Sequence, residues 1–160
     1  MKAIVINESQ ALVWTEAEIG EPGPHEILIE VRASAVNRAD LMQRRGFYPP
    51  PQGASEIMGL ECAGVVVSVG SAVTRHAPGD SVCALLAGGG YAERVLVDEG
   101  SAVSIPAGLD FESAAAVPEV FATAWLNLFI EAGLQPGERV VLHAGASGVG
   151  TAGIQLCRAF

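Results

Sequence analysis

The chain has 160 residues, half of them apolar and 17% charged, and eighteen acidic against nine basic side chains give a formal charge of −9. That length bounds one ordinary domain with a sizeable core, and the acidic balance argues against a nucleic-acid-binding surface. Nineteen Gly and nine Pro point to a turn-rich β body rather than a helix bundle, and no apolar run is long enough to span a bilayer.

Lys2 to Asn7 and Leu12 to Glu16 read as two short strands around a polar turn. After the Pro22-Gly23-Pro24 turn, Glu26 to Ser34 is the clearest strand, with Ile27, Ile29, Val31 and Ala33 on one face and Glu26, Glu30 and Arg32 on the other. The spacing predicts a helix over Asn37 to Arg45, capped by Asn37, with Asp40 three residues later and Gly46 at its close. Pro49-Pro50-Pro51 forbids regular structure and leaves Tyr48 on a stiff loop. Cys62 to Val69 is an apolar β run. A strand follows the Pro78-Gly79-Asp80 turn through Ala87, Gly88-Gly89-Gly90 breaks it, and Tyr91 to Val97 resumes as another. Short strands at even spacing with glycine turns predict a small closed or nearly closed β barrel.

From Asp110 the period changes. Asp110 caps a short helix through Val117; Pro118 opens a second helix that Gly133 ends, with an apolar stripe of Val120, Phe121, Ala124, Trp125, Leu128 and Phe129. Val140-Val141-Leu142 is then expected to be a strand, running into the turn Gly145-Ala146-Ser147-Gly148-Val149-Gly150 and a helix from Thr151. Glycines in such a turn let the backbone approach a diphosphate, and the free N–H groups of the new helix face that charge.

Each candidate residue has a plain alternative. Ser147 stands where a strict G-x-G-x-x-G has its middle glycine, so it either meets a phosphate or nicotinamide or caps the helix. Asn37 is either a cleft residue or an N-cap. Arg38, Arg44 and Arg45 either attract a cofactor phosphate or are solvated surface groups. Glu61, at the head of an apolar strand, is either an ordinary strand-end charge or part of a buried network beside a site. Thr123 either approaches the cofactor or bonds its own helix backbone. Cys62, Cys83 and Cys157 are odd in number, far apart and set in apolar runs, so they read as buried thiols in a reducing, cytoplasmic setting. The N-terminal apolar run is too short for a signal peptide.

Val36-Asn37-Arg38-Ala39-Asp40-Leu41-Met42-Gln43-Arg44, the Tyr48-Pro49-Pro50-Pro51 loop and Gly59-Leu60-Glu61 carry a family resemblance together with several later segments. These are Gly79-Asp80, Ala84-Leu85-Leu86, Gly88-Gly89-Gly90, Ala115-Ala116-Val117-Pro118-Glu119 and the loop at Ser147. In order and spacing the whole chain resembles the N-terminal half of the medium-chain dehydrogenase/reductase superfamily. Within it the likeness is to the zinc-independent, zeta-crystallin-like quinone oxidoreductases, above all their stress-inducible NADPH-dependent subfamily. The resemblance implies a chaperonin-10-like (GroES-like) barrel over residues 1–120. Residues 121–160 would supply a linking helix and the first strand-loop-helix of a Rossmann domain, with the site in the cleft between the two.

The resemblance further implies hydride transfer from NADPH, with NADH left open, to a small-molecule quinone or enone. Asn37 and Tyr48 would line the site as catalytic hydrogen-bond donors to the acceptor oxygen. Arg38, Thr123, Gly145, Ala146, Ser147, Gly148, Val149 and Gly150 would hold the cofactor. Zinc relatives carry a cysteine where this chain has Asn37, a histidine where it has Leu60, and a four-cysteine lobe with no counterpart between Cys83 and Tyr91, so no zinc is expected. No nucleic-acid or membrane partner is expected, and the parent enzyme would be a homodimer or homotetramer. An enoyl-thioester or enone reductase of the same superfamily is the neighbouring reading; a non-catalytic barrel module is the alternative from another class.

The selector that separates NAD from NADP would lie beyond Phe160. The 160 residues are therefore expected to be a shortened form, an isolated domain or a remnant that needs a partner.

Overall fold

The computed structural model describes residues 1–160. The chain divides into two compact units, Met1–Ala116 and Val117–Phe160.

In the first unit, β1 (Lys2–Ile6) and β2 (Leu12–Glu16) form an antiparallel pair, with Ala3 opposite Thr15 and Val5 opposite Val13. A second sheet has β3 (Glu26–Ser34), β4 (Glu61–Val69), β5 (Ser81–Leu85), β6 (Arg94–Asp98) and β7 (Ala102–Ser104), in the order β6-β3-β4-β5-β7. Every pairing in it is antiparallel. An isolated bridge between Ala3 and Ala92 ties the first pair to the approach of β6.

Strand alternation places Ile27, Ile29, Cys62, Val66, Val82, Ala84, Val95 and Val97 on one face, where they form the main core with Leu86 and Ala102. The opposite face of β4 and β5 offers Ala63 and Cys83 to Ala114 and Ala115 of α2 (Phe111–Ala115). The central strand β4 is thus covered on both sides, which is why it reads as a continuous apolar run rather than an alternating one. Cys62 and Cys83 belong to opposite faces, and both remain free thiols. The helix α1 (Arg38–Arg44) follows β3 directly, with Asn37 at its N-cap position.

The second unit has α3 (Pro118–Trp125), a wider π-type continuation over Leu126–Glu131, and α4 (Gly148–Ala159). Ala124, Leu128 and Ala152 are its buried centre, with Phe121, Leu142 and Leu156 packed around them. Trp125, Phe129 and Phe160 cluster with ring centroids 4.6–5.9 Å apart. No helix is long and apolar enough to cross a membrane.

The structure corrects the sequence reading at several points. Val140-Val141-Leu142 is not a strand: Val141 is 82% exposed, and only Leu142 turns into the unit's core. A strand needs a neighbour for its backbone groups, and no other strand lies in this unit. The helix expected to run unbroken from Pro118 to Gly133 widens at Leu126, where Ala132 bonds back five residues to Asn127. The short helix capped by Asp110 stops at Ala115 rather than Val117: Ala116 is its C-cap, with φ −95° and ψ 9°, and Val117 already serves as the N-cap of the next helix. Tyr91 to Glu93 are not regular strand; β6 begins at Arg94. The three-residue β7 gave no periodic signal and was not expected.

Candidate functional site

At the junction of β3, α1 and β4 the chain gathers two buried carboxylates. Asp40 and Glu61 are each 1% exposed. Asp40, one turn into α1, accepts the Asn37 backbone N–H on Oδ2 at 2.7 Å, the reciprocal half of a capping arrangement. The Asn37 side-chain amide does something else: its Nδ2 donates to Glu61 Oε1 at 2.8 Å. The Ser34 hydroxyl donates to the Glu61 carbonyl oxygen at 2.7 Å, closing the end of β3 onto β4.

Tyr91 completes the cluster from a distant part of the chain. Its hydroxyl donates to Asp40 Oδ2 at 2.9 Å and lies 3.3 Å from the Ala35 carbonyl oxygen. Burial first, then the hydrogen bond to Asp40 and the negative charges of Asp40 and Glu61, push the Tyr91 hydroxyl pKa well above its ordinary value. It is therefore a proton donor in this network at any physiological pH.

The backbone places Tyr91 there. Segment 57–60 runs beside segment 86–91, with Gly89 N–H bonded to Ile57 O, Gly90 N–H to Gly59 O and Tyr91 N–H to Met58 O. Gly59 permits this approach: its φ is +102°, and a Cβ there would sit 2.6 Å from the Tyr91 nitrogen. Gly59 and the Gly88–Gly90 run were visible in the sequence. That they would meet was not, so Tyr91 was missed. Glu61 is the buried member of a network, and the surface reading of it falls away.

Tyr48 lies in the loop after α1, about half exposed, and is outside this network. Arg38 is exposed at the first position of α1. The Arg44 guanidinium donates to the Gln10 carbonyl at 3.1 Å.

In the second unit, the turn at 143–147 leads into α4. Ser147 is its N-cap and accepts the Gly150 N–H at 3.1 Å, while its carbonyl accepts from Thr151. The N–H groups of Gly148 and Val149 open the helix, where no preceding helical carbonyl exists for them. Gly145 is half-buried; Ala146, Ser147, Gly148 and Val149 are exposed. Gly150 is buried, and a Cβ on it would lie 2.5 Å from the Ala144 carbonyl oxygen. The left-handed residue of the turn is Ala144, with φ +52°, rather than a glycine. The turn can therefore cradle an anion: open backbone, a helix N-terminus and close packing at Gly150. Thr123 Oγ1 donates to Glu119 Oε1 at 3.3 Å rather than to its own backbone.

Nowhere do three His, Cys, Asp or Glu side chains come together in a way that would hold a metal ion. At the two positions where zinc relatives carry ligands, Asn37 gives its amide N–H to Glu61 and Leu60 is buried.

A five-stranded antiparallel sheet with a polar cluster beside it, followed in sequence by an open turn at a helix N-terminus, is the build of the dehydrogenase class. The chain belongs to the alcohol dehydrogenase GroES-like domain family, which matches residues 23–107. It is 43% identical over 136 residues to the pikromycin polyketide synthase component PikAII of Streptomyces venezuelae, covering 85% of this chain and 4% of that one. The solved CurK enoyl reductase superposes with a TM-score of 0.90 at 31% identity, over 99% of this chain and 51% of that one. The quinone oxidoreductase of Pseudomonas syringae pv. Tomato DC3000 superposes with a TM-score of 0.83 at 32% identity, over 99% and 50%. The chain thus spans about half the length of these solved relatives and a small part of the polyketide synthase component.

Proposed function

We propose that this chain carries the acceptor-binding and cofactor-turn portions of a zinc-independent, nicotinamide-dependent reductase of the medium-chain superfamily, acting on a quinone, with NADPH as the preferred donor. The observation that carries the proposal is the Asn37 amide, held by Glu61 at the end of β3 where zinc relatives place a metal-binding thiol. An amide in that place is a poor zinc ligand and a good hydrogen-bond donor.

Reduced nicotinamide, when bound, supplies the hydride. The protein's share is charge and placement. When a conjugated acceptor takes hydride, negative charge collects on its carbonyl oxygen. The second N–H of Asn37, not engaged by Glu61, donates to that oxygen, and the Tyr48 hydroxyl is the other donor. The turn Gly145-Ala146-Ser147-Gly148-Val149-Gly150 would seat the diphosphate on the opening N–H groups of α4, and Arg38 and Thr123 would help to hold the cofactor.

A second reading has a specific observation in its favour. The CurK enoyl reductase superposes more closely than the Pseudomonas quinone oxidoreductase, 0.90 against 0.83. An enoyl thioester places its developing charge on a conjugated carbonyl oxygen just as a quinone does, so the same donors serve. The test is a parallel assay of the full-length enzyme with NADPH, offering a benzoquinone, a naphthoquinone and a crotonyl thioester, with NADPH oxidation followed by absorbance. Preferential turnover of the quinones supports the first reading and preferential turnover of the thioester the second. Failure to bind NADPH at millimolar concentration would overturn both.

A further inference from the structure

We propose that Glu61 is a positioning residue: its carboxylate fixes the rotation of the Asn37 amide, and so decides that an N–H rather than the carbonyl oxygen faces the electron acceptor. The proposal rests on the reading that Asn37 meets the acceptor. An asparagine amide presents two different ends, and nothing in its shape prevents a half-turn that exchanges them. Glu61 removes that freedom. A carboxylate accepts and does not donate, so at 2.8 Å it holds the nitrogen end of the amide and excludes the oxygen end.

The clamp is rigid for reasons visible in the fold. Glu61 is 1% exposed at the first residue of β4, where Ser34 bonds its carbonyl oxygen and Leu85 pairs with it from β5. Asn37 is pinned from the other side, because its backbone N–H donates to Asp40, which Tyr91 holds in turn. Both ends of one residue are thus fixed by buried carboxylates on different elements. The capping box accounts for the Asn37 backbone N–H and the oxygen end of its side chain; it makes no use of the nitrogen end, and that is the end Glu61 holds. With one N–H given to Glu61, the amide keeps one N–H, and the held rotation sets where it points.

The test joins a structural and a kinetic readout. In this chain, labelled with nitrogen-15, the side-chain amide protons of Asn37 should exchange with solvent more slowly than those of Asn7 and Asn127, the other two asparagines. The slowing should disappear in Glu61→Gln, whose own amide can turn either way. In the full-length enzyme, Glu61→Gln should lower kcat about tenfold, a loss of orientation rather than of the donor, with the KM for NADPH changed little. The double variant Asn37→Ala/Glu61→Gln should be no slower than Asn37→Ala alone, because two residues acting through one contact are not additive. Fast exchange of the Asn37 amide in the unaltered chain overturns the proposal without recourse to any variant. Full kcat in Glu61→Gln beside an impaired Asn37→Ala overturns the positioning role and leaves the role of Asn37 standing. Full kcat in Asn37→Ala overturns the reading of Asn37 itself, and the proposal with it.

Discussion

Tyr91 and Asp40, 51 positions apart in the chain, share a 2.9 Å hydrogen bond that joins the approach of β6 to the first turn of α1. Asp40 Oδ1 is buried without a hydrogen-bond partner, so Oδ2 carries all the compensation this carboxylate receives. Tyr91→Phe should therefore cost about 1–3 kcal/mol, the usual loss when a buried polar group is left short of a bond. Urea unfolding of the two chains side by side measures it. An unchanged midpoint would show that Asp40 finds another donor.

Gly150 and Gly148 should respond differently to the same added methyl group. At Gly150 the new Cβ meets the Ala144 carbonyl oxygen at 2.5 Å, and backbone cannot swing aside; at Gly148 it meets the Val120 side chain at 2.9 Å. Gly150→Ala should destabilise the second unit by about 1–3 kcal/mol and weaken NADPH binding. Gly148→Ala should do less on both counts. Thermal unfolding and a cofactor titration report the two effects; equal loss in both variants would place the constraint elsewhere. The larger Gly148→Val should abolish cofactor binding by blocking the approach of a diphosphate, and retained binding would contradict the role assigned to this turn.

The thiols predict an alkaline loss of stability. Burial, with Cys83 and Glu61 adding negative charge, pushes the Cys62 pKa from 9.0 up to about 12, and Cys83 moves upward too, chiefly by burial. Above pH 9 the unfolded chain gives up thiol protons that the folded chain keeps. Stability from this source is whole below the ordinary value of 9.0 and declines as pH rises towards about 12. Tyr91, also raised, adds to the decline from its ordinary value of 10.0 upward. Unfolding midpoints across this range should fall, less steeply in Cys62→Ala. The same burial makes one thiol of the three the accessible one: Cys157 should react with a thiol reagent in the folded chain, and Cys62 and Cys83 only after unfolding.

Asn37→Ala and Tyr48→Phe, made in the full-length enzyme, separate function from folding. Loss of one hydrogen-bond donor to a developing oxyanion lowers turnover by about a hundredfold to a thousandfold, and either change should reach that range with a smaller effect on the unfolding midpoint. Steady-state kinetics beside thermal unfolding decides. Turnover and stability falling together would make these residues structural.

The strands from Lys2 to Leu85 were legible because alternation and turn chemistry are local: Ile27 and Ile29 face inward whatever lies beyond them, and Asn37, Asp40 and Ser147 mark helix starts by their own side chains. Ala102–Ser104 was not, since three residues carry no period. Val140–Leu142 misled because an apolar run states a preference for burial, while strand geometry requires a neighbouring edge that this unit lacks. The residues of the polar cluster were on view as types, and Asn37 and Glu61 were singled out. Their pairing, and the arrival of Tyr91 beside Asp40, depend on Gly59 lying against the Gly90–Tyr91 backbone, a contact between segments about thirty residues apart in the chain. Local sequence fixes what each short segment prefers. Which buried carboxylate receives which donor is decided only when distant segments pack, because a hydrogen bond is made across space and leaves no period along the chain.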